Sequence, residues 1–273
     1  SSYDYNETDD FNESSSDFIS IKEHIFRGKK IIQIFIDPIK YNRDLNKVEI
    51  LENATVEISI DNIDSYPDSQ LKQSRTFNQI INNLVENPLD NRDVEYQKPS
   101  VLYISDPDVM TSPYLQALVN WRKQQGYETY LVSTNETGNS VTSIKNYIAD
   151  AYYNWDNPPE YLCFIGDANG SVSVPTYDVA GGSGGWNSAH GESDYPYTLI
   201  EGDDLFPEMI VGRISVRSST ELATVVQKII GYEKLYGGNG DWLSTTTLVG
   251  DPYDSGISTV ITNQYIEQIM ENY

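Results

Sequence analysis

The sequence predicts an α/β fold, with a parallel sheet covered by helices on both faces and a small antiparallel β segment before it. After residue 100, short continuous apolar runs alternate with segments of helical periodicity, which is typical of parallel strands buried on both faces. Between residues 29 and 60, apolar residues instead alternate with polar ones, as expected of antiparallel strands with one solvated face.

Three segments precede the predicted α/β unit. Residues 1–25 open with an acidic, serine-rich stretch, so we expect disorder there. Residues 61–100 are polar and punctuated by proline, which predicts a linker with a short helix over 77–85. Between them, residues 26–60 form the β-rich segment, whose period-2 apolar positions include Ile32, Ile34, Ile36, Val48, Ile50, Val56, Ile58 and Ile60.

The α/β unit itself, residues 101–273, is predicted from its alternating elements. Strands are expected at 101–105, 127–133, 161–165, 209–211 and 243–250. Helices are expected to begin at Ser112–Pro113 and near Ser218, and to cover 144–152 and 257–270. Because a further strand should follow the last helix in such an alternation, we expect the sheet to be cut short at residue 273.

The charge of the chain narrows the classes of partner. There are 41 acidic and 18 basic residues, so the formal net charge is −23. A surface of this sign repels phosphate backbones and anionic lipid headgroups, and we therefore expect neither nucleic-acid binding nor membrane insertion. No apolar run approaches the roughly 18 residues that a membrane span requires. A negative surface can bind divalent metals and cationic ligands, but solubility alone also explains a charge of this kind.

The residues that could act as nucleophile and base predict no catalytic site within this chain. The one cysteine, Cys163, lies in the middle of a predicted strand, where a thiol is usually a buried, inert hydrophobe. His24 lies in the N-terminal segment and His190 in a glycine-rich loop, and neither is placed to activate Cys163. No G-x-S-x-G nucleophile elbow occurs, and the glycine run at 181–185 lacks the G-K-[ST] ending of a phosphate-binding loop.

Acidic residues concentrate in the loop 201–208, EGDDLFPE. Two further aspartates, Asp167 and Asp194, lie earlier in the chain at predicted strand ends. Calcium prefers six to eight oxygen ligands from carboxylates and carbonyls, which such loops supply. The ligand order of an EF-hand is absent. Two interpretations stay open from spacing alone: a calcium site, and an acidic hairpin tip in solvent.

Several stretches of the α/β unit resemble the gingipain (C25) cysteine peptidases. They are LVNWRKQQGY (118–127), YLCFIGD (161–167), SDYPY (193–197), PEMIVGRISV (207–216), KIIGYEK (228–234) and GDWL (240–243). Residues 26–60, with FRGK and DPIKYN, look like the end of the family's propeptide. The resemblance implies a caspase/flavodoxin-like α/β fold for the first subdomain of such a peptidase. It also implies a Cys–His dyad in a second subdomain, which this chain does not contain.

The resemblance also implies cofactors, partners and a location. Calcium would be held by the carboxylates of Asp167, Asp194, Asp204 and Glu208 and by carbonyls of Glu201 and Phe206. The partners would be protein or peptide substrates and the protein's own catalytic subdomain. The full protein would be a secreted or cell-surface endopeptidase of a bacterium or archaeon. A C25-like transpeptidase, or sortase, of a secretion system and a non-catalytic scaffold or binding protein with the same fold stay open as alternatives.

Overall fold

The computed structural model describes residues 18–42, 45–53, 55, 71–88, 94–179, 191–234, 244–249 and 257–272. The strands in these ranges are β1 (Ile19–Phe26), β2 (Lys29–Ile36), β3 (Ile39–Asn42), β4 (Lys47–Ile50), β5 (Ser100–Ser105), β6 (Glu128–Ser133), β7 (Tyr161–Ile165), β8 (Tyr177–Val179), β9 (Gly191–Ser193) and β10 (Ile210–Ile214). The helices are α1 (Arg75–Leu84), α2 (Pro107–Met110), α3 (Pro113–Gln124), α4 (Thr134–Thr137), α5 (Val141–Asn154), α6 (Ser219–Glu233) and α7 (Ile257–Asn272), with a 3₁₀ turn over Tyr195–Thr198.

Four parallel strands form the central sheet, in the order β10-β7-β5-β6. Every residue of β5 is buried, so this central strand is covered on both faces, as its continuous apolar run predicts. The register aligns the ends of the strands: Ser105 pairs with Ile165, and Ile165 pairs with Ile214. The carboxyl ends of β5, β7 and β10 therefore meet at one edge, and their amino ends meet at the opposite edge.

The main core lies between this sheet and α5. The predicted helical stripe of α5 is confirmed, because Ile144, Ile148, Ala151 and Tyr152 are fully buried and Tyr147 packs against them partly buried. Aromatic and aliphatic side chains from β5, β7 and the segment before β10 complete the cluster, and Tyr197 from the 3₁₀ turn packs 4.9 Å from the ring of Phe164. The buried set includes Leu102, Ile104, Ile144, Ile148, Ala151, Tyr152, Leu162, Phe164, Tyr197 and Met209.

Short antiparallel pairs flank the sheet: β1 with β2, β3 with β4, and β8 with β9. The β1–β2 hairpin packs a second, smaller core, in which Phe26 meets Phe77 and Ile81 of α1. The antiparallel β segment predicted from alternation is thus confirmed, and so is a short helix in the predicted linker, at α1. The residues 56–60, where a further strand was predicted, lie outside the described part of the chain.

The structure differs from the sequence predictions at one segment boundary and at one strand. The segment expected to be disordered ended at residue 25, but β1 already begins at Ile19, because its residues pair with β2 along its whole length. Residues 1–17 lie outside the described ranges. The strand predicted at 243–250 is absent from the described residues 244–249, where the backbone is irregular and Val249 is 82% exposed.

The chain divides into two units, residues 1–224 and 225–273. The first unit contains the central sheet and the hairpins. The second contains most of α6, the irregular residues 244–249 and α7. Among the helices that the structure describes, none is long and apolar enough to cross a membrane.

Candidate functional site

The carboxyl edge of the central sheet carries a network of polar side chains. In open α/β sheets, ligands bind outside the carboxyl ends of the strands. Asp106 directly follows β5, Asp167 follows Gly166 at the end of β7, and Arg217 follows β10 by three residues. The edge is therefore polar on three neighbouring strands.

Arg213 of β10 is the centre of this network. Its guanidinium binds the Asp194 carboxylate through two hydrogen bonds, Nε to Oδ2 at 2.8 Å and NH2 to Oδ1 at 2.7 Å. NH1 donates to the carbonyl oxygens of Gly166 (3.0 Å), Asp167 (3.2 Å) and Val174 (2.9 Å). Bidentate guanidinium–carboxylate pairs are among the stronger hydrogen-bonded contacts in proteins. One side chain thus holds the loop after β7 and the segment before the 3₁₀ turn onto β10.

Asp167 is bound by a second, more exposed arginine. Its carboxylate accepts hydrogen bonds from Nε of Arg217 (2.6 Å) and from the hydroxyl of Ser215 (2.8 Å). These two contacts and the amide of Ala168 lower the pKa of Asp167 to about 2, so the carboxylate is ionised at neutral pH. Because its oxygens already accept three donors, Asp167 is a structural acceptor in this arrangement.

Asp106 is a member of this edge that sequence reasoning missed. Its Oδ1 accepts the amide of Asp108 as the cap of α2, and its Oδ2 accepts the amide of Ser173, both at 2.8 Å. Its own amide donates to the carbonyl of Ile165. An aspartate directly after a buried strand and before a proline is a recognisable capping signal. Its bond to the loop after β7 could not be predicted without the register.

The other predicted metal ligands lie at the amino side of the sheet. Glu208 precedes β10 and is fully buried. Its Oε2 accepts the amides of Ile200 (2.7 Å) and Glu201 (3.2 Å), while its buried Oε1 has no hydrogen-bond partner among the described residues. Burial, with a smaller contribution from the neighbouring carboxylates of Glu201 and Asp204, raises the pKa of Glu208 to about 7.

Glu201 and Asp204 bind the β1–β2 hairpin. Oε2 of Glu201 accepts the amide of Gly28 at 2.8 Å, and Oδ2 of Asp204 accepts the amide of Ile25 at 2.7 Å. Oδ1 of Asp204 accepts the amide of Phe206, whose ring packs against those of two residues of β1, His24 and Phe26. The acidic loop is therefore a docking surface for the hairpin. Neither interpretation that the spacing left open, a calcium site or an acidic hairpin tip in solvent, included this role.

The six predicted calcium ligands are thus divided between the two edges of the sheet. Asp167 and Asp194 are held by arginines at the carboxyl edge, whereas Glu201, Asp204, Phe206 and Glu208 lie on the amino side. Within the described residues, no group of three or more His, Cys, Asp or Glu side chains is placed to hold a metal ion. As placed, these residues do not fit one calcium ion with six oxygen ligands. Calcium binding stays a prediction.

Asp204→Ala separates the calcium prediction from hairpin docking. If Asp204 acts only as the acceptor for Ile25 and Phe206, the variant should melt at a lower temperature by the same amount in millimolar calcium and in chelator. If it ligates calcium, the loss should appear mainly when calcium is present. Thermal melts of the wild type and the variant under both conditions decide this, with Asp178→Ala, a substitution outside this loop, as the control.

Of the three residues considered for catalysis, the structure describes Cys163 and His24. Cys163 lies in β7 and is partly buried, and burial raises the pKa of its thiol to about 12. The absence of a catalytic role for Cys163 stays a prediction. His24 contacts Gln33 and lies 3.8 Å from Oδ2 of Asp204. His190 and the glycine run at 181–185 lie outside the described residues.

Comparison with known proteins identifies the family. The model of peptidase family C25 matches residues 94–273, about two thirds of the chain. The chain belongs to peptidase family C25. The match begins six residues before β5. It includes the whole parallel sheet, Arg213, the aspartates Asp167 and Asp194, and the acidic loop 201–208. The β1–β2 hairpin precedes it.

Curated relatives of this C25 chain come from Porphyromonas gingivalis. Lys-gingipain is 26% identical over 258 residues, which cover 90% of this chain and 14% of the relative. Gingipain R2 is 24% identical over 166 residues, which cover 58% of this chain and 21% of the relative. The chain therefore spans a minor part of the length of these relatives.

Solved structures support the fold. The Arg-specific cysteine proteinase gingipain R (RgpB) superposes with a TM-score of 0.50 and 20% identity, over 68% of this chain and 41% of that one. A complex of the pro- and mature domains of Porphyromonas gingivalis RgpB gives 0.50 and 22%, over 64% and 40%. At these identities the likeness shows the fold, and it agrees with the parallel α/β architecture expected from the sequence.

Proposed function

We propose that this C25 chain is a portion of a secreted or cell-surface gingipain-like cysteine endopeptidase. Residues 94–273 would form the first α/β subdomain of the peptidase unit, and the preceding β-rich segment would be the end of its propeptide. The observation that carries this proposal is the family match over the whole parallel sheet. Likeness to a complex of pro- and mature domains supports the division into two parts.

In this proposal the chain supplies structure to catalysis and not the catalytic dyad. Hydrolysis by a cysteine peptidase needs a thiolate activated by a nearby base. Cys163 is the one cysteine of the chain, and burial raises the pKa of its thiol far above neutrality. We therefore assign the Cys–His dyad to the second subdomain, which would pack with this one as its partner. Its substrates would be proteins or peptides.

A peptidase assay tests this assignment. The chain alone should not hydrolyse arginyl or lysyl peptide substrates in the presence of a thiol reductant, and Cys163→Ala should behave identically. Because thiolate is the reactive form, iodoacetamide should alkylate Cys163 in the folded chain roughly a thousand times more slowly than free cysteine near pH 8.

Two outcomes would contradict the proposal. Turnover by this chain that Cys163→Ala abolishes, with the fold intact, would show that the dyad is here. A longer polypeptide of the same protein that contains this chain and a further α/β subdomain should cleave the same substrates. If it is folded and inactive, a non-catalytic member of the family is the better description.

A further inference from the structure

The tip of the β1–β2 hairpin has an unusual residue for its backbone conformation. Arg27 and Gly28 form the two-residue connection, and both have positive φ, +47° and +70°. Such turns favour asparagine, aspartate or glycine at both positions, because other L-residues are strained there. An arginine at this place indicates that its side chain has a role that offsets the strain.

The Arg27 side chain enters the amino edge of the sheet and is only 5% exposed. NH1 donates to the carbonyl oxygens of Pro159 (3.0 Å) and Glu208 (2.5 Å). NH2 donates to Oε1 of Gln97 (3.2 Å) and to the carbonyl of Pro158 (3.4 Å). These acceptors lie just before the amino ends of β5, β7 and β10. The parallel register therefore brings them together around one guanidinium.

The walls of this pocket also suit a guanidinium. The rings of Phe77 and Tyr152 lie 4.8 Å and 5.4 Å from Cζ of Arg27, within the range of cation–π contact. Two buried carboxylates, Glu160 and Glu208, add negative potential. A planar, delocalised cation can stack on aromatic faces and serve four acceptors at once, whereas a lysine ammonium cannot do both.

Gln97 fixes the shape of the pocket. Its Nε2 donates to the carbonyl of Pro158 (2.8 Å) and to the hydroxyl of Ser100 (3.3 Å), which leaves Oε1 directed at Arg27. The hydroxyl of Ser100 in turn donates to the same Pro158 carbonyl. The acceptors are therefore held in position by the α/β unit, within the C25-matched residues, while the guanidinium comes from the hairpin outside that match.

We propose that the amino edge of the sheet is a guanidinium-specific docking site, and that the β1–β2 hairpin is a separable module held there by Arg27. The amides of Ile25 and Gly28, on either side of Arg27, bind Asp204 and Glu201 and fix the hairpin's orientation. This site is at the edge opposite the Asp106–Arg213 network. Docking of the hairpin does not depend on the peptidase assignment.

Hydrogen exchange on the full chain tests the specificity of the pocket. In Arg27→Lys, the amides of Ile25 and Gly28 should exchange roughly 100-fold faster, while those of Leu102 and Leu162 in the central sheet keep their protection. Arg27→Ala should show the same pattern. Lys30→Ala, which removes an exposed ion pair with Glu23 on the same hairpin, is the matched control and should leave all four amides unchanged.

Chemical rescue tests the pocket directly. Low-millimolar guanidinium, far below denaturing concentrations, should restore at least half of the lost protection in Arg27→Ala. Methylammonium at the same concentration should not. Wild-type protection in Arg27→Lys would overturn guanidinium specificity, and equal rescue by both cations would reduce the site to a negative patch. Simultaneous loss of protection at Leu102 and Leu162 in Arg27→Lys would show a core residue and not a separable module.

Discussion

Arg213→Met is expected to destabilise the first unit by about 3–5 kcal/mol, the cost of breaking a buried ion pair by removing one partner. The side chains of Arg213 and Asp194 are 13% and 15% exposed. Without the guanidinium, the hydroxyl of Thr176 is the one side-chain donor to the Asp194 carboxylate among the described residues, and three carbonyls each lose one donor. Denaturant unfolding monitored by tryptophan fluorescence measures the loss.

Arg217→Met is the matched control for this prediction. It removes an arginine–aspartate pair from the same edge of the sheet, with a hydrogen bond of 2.6 Å to Asp167. The Arg217 side chain is 72% exposed, however, and exposed pairs are screened by solvent. The control should therefore unfold close to the wild type, despite its shorter hydrogen bond.

A double-mutant cycle identifies the pair as the cause. Asp194→Asn should also destabilise the chain, and the coupling energy between the two substitutions should exceed about 1 kcal/mol because the groups are in direct contact. If Arg213→Met and Arg217→Met cost the same, burial does not set the strength of these pairs. If the cycle shows additive losses, the three carbonyls and not Asp194 account for the role of Arg213.

The parallel sheet could be predicted because its signals are local. The residues 101–104 of β5 form a continuous apolar run, and the whole strand is buried. The stripe Ile144, Ile148, Ala151 and Tyr152 follows helical periodicity and is fully buried. At 244–249, in contrast, β propensity without a pairing partner did not produce a strand. A segment with β propensity forms a strand only where a neighbouring strand is available to pair with it.

The polar sites could be predicted only in part, because their geometry depends on register. The sequence shows that Asp167 and Asp194 follow strands, but not that Arg213 and Arg217 bind them. The supply of carboxylate and carbonyl oxygens suggested a calcium ion, whereas arginines and backbone amides bind most of these carboxylates in the structure. Arg27 gave a weak local signal, a basic residue before glycine between two alternating strands. Its hydrogen-bond partners lie 70 or more positions away in the sequence.

Glu208→Gln is expected to stabilise the chain at about pH 8, by about 1–3 kcal/mol. The Glu208 carboxylate is fully buried, and its Oε2 accepts two amides while Oε1 has no hydrogen-bond partner in the part of the chain that the structure describes. An ionised carboxylate in this position is costly, and a neutral amide keeps an oxygen for the two amide donors.

The sign of the pH dependence follows from the direction of the pKa shift. The pKa of Glu208 rises from an ordinary 4.5 to about 7 on folding, with burial as the largest cause. Between these values the native chain binds a proton that the unfolded chain releases. This contribution to stability is therefore complete below pH 4.5 and is lost as the pH rises through about 7. The charged groups around Glu208 are Arg27, Lys145, Glu201 and Asp204.

Free energies of unfolding measured in chelator from about pH 4.5 to 8 test this. The wild type should lose stability across the window, and Glu208→Gln should give a flatter curve that crosses above it near pH 7. Glu192→Gln, an exposed glutamate bound to Asn169, should follow the wild type. Parallel curves for Glu208→Gln and the wild type would mean that Glu208 stays ionised in the native chain. In that case the nearby positive charges of Arg27 and Lys145 offset the cost of burying the ionised carboxylate.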